Sequence, residues 1–116
     1  MNIPMELQTL GDRAMEIRAR YAAFEKARSG KEWTPSELME GFVVDVGELM
    51  RLVMAKSGNR DVDNVDEKLA HELSDCLWCV LVLSRLYGVD LEQAFLKTMD
   101  DLDTSLCRKL PTKSIS

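Results

Sequence analysis

Apolar residues recur along this chain at intervals of three and four, separated by charged ones, and that spacing predicts helices throughout. Leu7, Leu10, Ala14, Ile17, Tyr21 and Phe24 form one stripe, which the breaker pair Ser29-Gly30 should end. Thr34-Pro35-Ser36-Glu37 then has the composition of a helix start. Thr34 can cap, Pro35 suits a first turn whose N–H has no partner, and Glu37 completes a capping box. The second helix carries Leu38, Phe42, Val46, Leu49 and Val53 as its expected core stripe and runs to about Lys56, before Ser57-Gly58-Asn59. A third helix, capped by Asp63 or Asn64, should bury Leu69, Leu73, Cys76, Leu77, Val80 and Ser84 and stop at Gly88. Asp90, three residues before Gln93, opens a fourth with Leu91, Phe95, Met99, Leu102 and Leu106 as its stripe.

No segment alternates with the period of two that marks a half-buried strand, so the expected class is all-α. Residues 1–110 read as one helical domain and 111–116, with Pro111 and polar neighbours, as a flexible tail. The third helix is apolar almost all the way round from Cys76 to Leu83, whereas a surface helix needs one apolar stripe. Val43, Val44 and Met50 on the second helix also ask for cover. A bundle completed by a second copy, as a homodimer or a homotetramer, is the simplest arrangement that supplies it.

Composition narrows the function classes. Fifteen Lys and Arg against twenty Asp and Glu leave a net charge of −5, and no basic stripe is present, which argues against nucleic acid as a partner. The longest strongly apolar run, Cys76–Leu83, is far too short to span a bilayer. The opening residues Met1–Glu6 lack the basic, apolar and small-residue order of a secretory signal, so the expected compartment is the cytoplasm and the three cysteines are expected as thiols. Cys76 and Cys79 match C-x-x-C, but they fall inside a helix among apolar neighbours, where structural cysteines are the expectation and not a redox dithiol.

The acidic residues are arranged suggestively. Asp45 and Glu48 are three apart on the second helix, and Glu72 and Asp75 three apart on the third, so each pair projects from adjacent turns of one face. At 100° per residue both pairs flank the expected apolar stripes, and four carboxylates could meet between two packed helices. Like charges held so close are costly, and a hard, oxygen-seeking cation such as Mg²⁺ relieves them. With this many acidic residues, such pairs also arise by chance and then form a solvated face.

Asp45-Val46-Gly47-Glu48-Leu49 followed by His71-Glu72-Leu73-Ser74-Asp75-Cys76-Leu77-Trp78 resembles the paired motif E-x-x-E then E-x-x-D of the MazG-like nucleoside triphosphate pyrophosphohydrolases. Trp33-Thr34-Pro35 and Leu91-Glu92-Gln93-Ala94-Phe95 look similar to the shorter members, and the resemblance covers roughly residues 30 to 102. It implies an all-α bundle of four to five helices, Mg²⁺ held by Asp45, Glu48, Glu72 and Asp75, and cleavage of a nucleoside triphosphate between its α and β phosphates. Within that reading Glu48 is the candidate to take a proton from the attacking water. Lys56, Arg60 and Lys97 are candidates for the phosphate tail, and Trp33 for stacking on the base. Asp45 stands where the family usually has Glu, and Asp101 near where it often has Asn. A competing reading is a helical module without catalysis that dimerises and binds nucleotide or a protein partner.

Overall fold

A computed structural model describes residues 6–58 and 61–110. Four helices, α1 (Leu7–Ser29), α2 (Pro35–Lys56), α3 (Val65–Leu86) and α4 (Leu91–Lys109), account for them, with no strand among the described residues. The tail 111–116 lies outside the described residues, as do Asn59 and Arg60.

The ends form as their residues dictate. Gly30 closes α1 in the left-handed conformation at φ 88°, where a Cβ would clash with its own backbone, and its N–H donates to the Lys26 carbonyl. At α2 the capping box is complete: the Glu37 N–H donates to Thr34 Oγ1 at 3.2 Å, and the Thr34 N–H donates to Glu37 Oε1 at 3.0 Å. Asp90 Oδ1 accepts from the Gln93 N–H at 3.2 Å and starts α4. Asn64 occupies the cap position of α3 but works differently from the expectation. It adopts a left-handed φ of 55°, which Asn tolerates, and its side chain makes no capping bond.

α3 is the central element, with α1 and α2 packed on it. The core comprises Ala14 of α1, Leu38 of α2, and Leu81 and Val82 of α3, with Trp78, Met15, Leu86 and Leu91 around it. Trp78 anchors α3 to α1 by donating its indole N–H to the Ala14 carbonyl at 3.1 Å. At the other end of the α1–α3 contact, Arg85 donates to the Gln8 carbonyl at 2.7 Å and pairs with Asp12 at 2.9 Å. This close approach explains Gly11, since a Cβ there would lie 2.6 Å from the guanidinium.

Two expected faces are corrected. On α2, Leu38 and Leu52 are buried, at 3% and 0% exposure, whereas Val46 and Val53 of the expected stripe are exposed. The helix is therefore turned by about 60° from the expected face at 100° per residue. On α3, Cys79, Leu81 and Val82 are buried while Leu73 and Leu77 of the expected inner face are exposed. Both helices carry apolar residues on more than one side, so periodicity alone could not select the side that faces the other helices. The expected stripe of α4 is likewise not core in the protomer. Leu91 docks on the core, but Phe95, Met99, Leu102 and Leu106 all face outward. A radius of gyration of 18.6 Å, against about 13 Å for a compact chain of this length, reflects that open arrangement.

Candidate metal centre

The rotation of α2 matters for chemistry. Leu38, Asp45 and Leu52 are seven apart and so share one line along the helix, with Asp45 between two buried leucines. This line faces α3, and Asp45 is half-buried in the seam and not at its rim. On α3, Glu72 and the buried Cys79 are also seven apart, and both Glu72 and Asp75 are half-buried.

The two acidic pairs lie near enough to influence one another's charge. Loss of water pushes the Asp45 carboxyl above its usual range, and the nearby charge of Asp75 pushes it further. Glu72 is pushed up in the same way, by desolvation first and then by Asp45, Asp75 and Glu48. Its Oε2 is buried and has no hydrogen-bond partner. Such an orphaned acceptor among like charges is costly, and a cation is the direct remedy. Glu48 differs. Arg51, one turn further on α2, grips it with Nε 3.1 and 3.2 Å from its two carboxylate oxygens and with Nη2 on Oε1. That hydrogen bonding holds the Glu48 carboxyl below its usual range.

The tightest ligand set is His71, Glu72 and Asp75, each offering an atom within 4.8 Å of the others. His71 Nε2 lies 3.1 Å from Asp75 Oδ2. Asp45 and Glu48 complete the acidic lining from α2 without joining that close trio. Beside it opens a cleft of about 400 Å³ lined by Glu48, Arg51, Leu52, Glu67, Lys68, His71 and Glu72. Arg51 and Lys68 are basic groups that sequence reasoning did not single out. The i,i+3 spacing of Glu48 and Arg51 was the available signal for the first.

The other candidates lie elsewhere. Trp33 stacks on Tyr21, with ring centroids 6.3 Å apart and planes 12° from parallel, and Arg18 donates to its carbonyl at 3.1 Å. It belongs to the α1 side of the molecule, about 18 Å along α2 from Asp45. Lys56 pairs with Asp66 at 2.6 Å, joining the end of α2 to the start of α3. Lys97 pairs with Asp101 at 2.8 Å on the exposed face of α4 and does not line the cleft. Arg60 lies outside the described residues.

The cysteines differ in burial, Cys79 being buried, Cys76 half-buried and Cys107 exposed. All three are free, and Cys79 is buried with its thiol pushed up to about 11 by desolvation and the nearby Asp45, Cys76 and Asp75. No helix among the described residues is long and apolar enough to cross a membrane.

The family model described as MazG nucleotide pyrophosphohydrolase domain matches residues 33–109. The match takes in α2, α3 and α4, and with them both acidic pairs, and leaves α1 outside. No curated protein and no solved structure matches the chain.

Proposed function

The chain belongs to the MazG nucleotide pyrophosphohydrolase family, and from that premise we propose that it is a Mg²⁺-dependent pyrophosphohydrolase. It cleaves a nucleoside or deoxynucleoside triphosphate between the α and β phosphates to the monophosphate and pyrophosphate, in a house-cleaning role. The observation that carries the reading is the buried Glu72 Oε2, which has no hydrogen-bond partner and feels the negative charge of Asp45 and Asp75. Carboxylate oxygens suit a hard divalent cation, and Asp45, Glu48, Glu72 and Asp75 would hold it, with His71 beside them. Bound there, Mg²⁺ would neutralise polyphosphate charge and acidify a water.

The remaining work falls to the protein. Asp45 and Glu72 lie half-buried in the α2–α3 seam, where partial loss of hydration raises both carboxyls above their usual range. Glu48, whose carboxyl Arg51 holds below its usual range, is placed on the cleft wall to accept a proton from the attacking water. Arg51 and Lys68 give the same wall the positive charge that a polyphosphate needs. The competing reading, a nucleotide-binding module without catalysis, draws on the Glu48–Arg51 pair, which engages a metal ligand internally.

A panel of nucleoside triphosphates with Mg²⁺, read by pyrophosphate release, tests the proposal. Release from at least one nucleotide, lost on chelation and in both Glu48→Gln and Glu72→Gln with helicity intact, is expected. Nucleotide binding without release would establish the competing reading.

A further inference from the structure

Arg51 presents a puzzle within the cleft. It spends its guanidinium on Glu48, contacting both carboxylate oxygens, although Glu48 is one of the four residues through which the proposed site holds its cation. A residue required only for helix stability could have stood on the solvent side of α2. This one is about one-third exposed and lines the same cleft wall as Lys68 and Glu72. Its other neighbour in space is the open cleft itself, about 400 Å³, large enough for a polyphosphate chain.

We propose that Arg51 is an exchangeable counter-ion, holding Glu48 while the cleft is empty and passing to the polyphosphate when that ligand enters, which frees the Glu48 carboxylate. This rests on the functional reading above and deepens it by naming the residue that couples anion binding to release of a carboxylate. The geometry permits the exchange because Arg51 and Glu48 are half-buried neighbours on adjacent turns of α2 and no other hydrogen bond or ion pair among the described residues holds the guanidinium. The planar fork suits phosphate oxygens as well as it suits a carboxylate, so the exchange replaces one bidentate contact with another. Lys68, on α3 and lining the same cleft, adds a second positive group.

The exchange makes two opposite-signed predictions for one substitution. In Arg51→Met, which keeps the apolar stem, Glu48 has no internal competitor, so Mn²⁺ alone should bind several-fold more tightly, read by electron paramagnetic resonance of the free ion. Inorganic tripolyphosphate in saturating Mg²⁺ should bind about tenfold more weakly, read by calorimetry, because its charged hydrogen bonds to Arg51 are lost. Arg51→Lys should fall between wild type and Arg51→Met in both measurements, and circular dichroism should show unchanged helix content in each variant.

Opposite shifts would support the exchange; shifts in the same direction, or no change in either affinity, would overturn it. A wild-type protein that binds no Mn²⁺ at millimolar concentration would overturn it too. The outcome separates from that of the functional proposal. Pyrophosphate release with unchanged affinities in Arg51→Met removes the exchange alone, whereas opposite shifts without release leave the exchange and remove the enzyme.

Discussion

Asp45 sits between Leu38 and Leu52, and from that placement its chemistry follows. Removal of water raises its affinity for a proton, as it does for Glu72, and each charge raises the other's further. In the metal-free protein both groups hold a proton more tightly folded than unfolded. Their contribution to stability is therefore complete below the ordinary carboxylate pKa and is lost as pH rises through the raised folded values. Glu48 runs the other way, contributing above its ordinary pKa and losing that contribution as pH falls through its depressed folded value. Without divalent cation, Asp45→Asn and Glu72→Gln should thus melt above wild type at pH 7.5, with the gain shrinking towards pH 4. Millimolar Mg²⁺ should reverse the order, since the wild type gains a ligand that the variants bind poorly. Melting curves at the two pH values, with and without Mg²⁺, check both parts, and variants that melt below wild type without cation at pH 7.5 would show that the cluster is not strained. The same residue tests ligand reach. Asp45→Glu should keep turnover, and Asp45→Asn should raise the Mg²⁺ needed for half-maximal rate.

At the scale of the helix, the start signals of α2 and α4 were legible, the cap of α3 was not made as expected, and the facing sides were not legible. Thr34, Pro35 and Glu37 announced the start of α2, and the two reciprocal bonds of the capping box form there. A cap is a local interaction among four residues, so local sequence determines it. Thr34→Ala should cost about 1 kcal/mol, or about 4 °C in melting temperature. Thr34 does not line the cleft, so turnover per folded molecule should be unchanged. Which side of α2 meets α3 is a global choice. Val46 and Val53 read as core because they are apolar, yet the seam formed on Leu38, Asp45 and Leu52. The acidic pairs were found by spacing and by family resemblance, whereas their depth in the seam came from that choice of side. The i,i+3 spacing signalled that Arg51 could pair with Glu48, but not that the pair would line a cleft, because the same pair on a solvent-facing side would have meant little.

At the scale of the whole molecule, one side of α2 remains to be accounted for. Met39, Val43, Val46, Met50 and Val53 follow a four-three-four-three spacing, the seam of a helix that packs against another, and all five are exposed, Val43 and Met50 at 60% and 65%. Phe95, Met99, Leu102 and Leu106 give α4 a second uncovered stripe. Apolar stripes of that length on two helices exceed what a monomer ordinarily presents to water. At about 25 cal/mol per Å², covering a few hundred Å² contributes several kcal/mol, enough to offset much of the cost of association. We propose a second copy of the chain as the cover, since it carries the same heptad-spaced stripe and a two-fold axis brings identical patches together. The expected result is a sedimentation mass at micromolar concentration of two or four times the 13.2 kDa of the chain. Val46→Glu and Met50→Glu place charge on the seam without touching the α2–α3 core, so each should keep its helicity, sediment as a monomer and melt at a temperature independent of concentration. A wild-type mass of 13.2 kDa that does not change on concentration would mean that these stripes are left to water, and the homo-oligomer would be excluded.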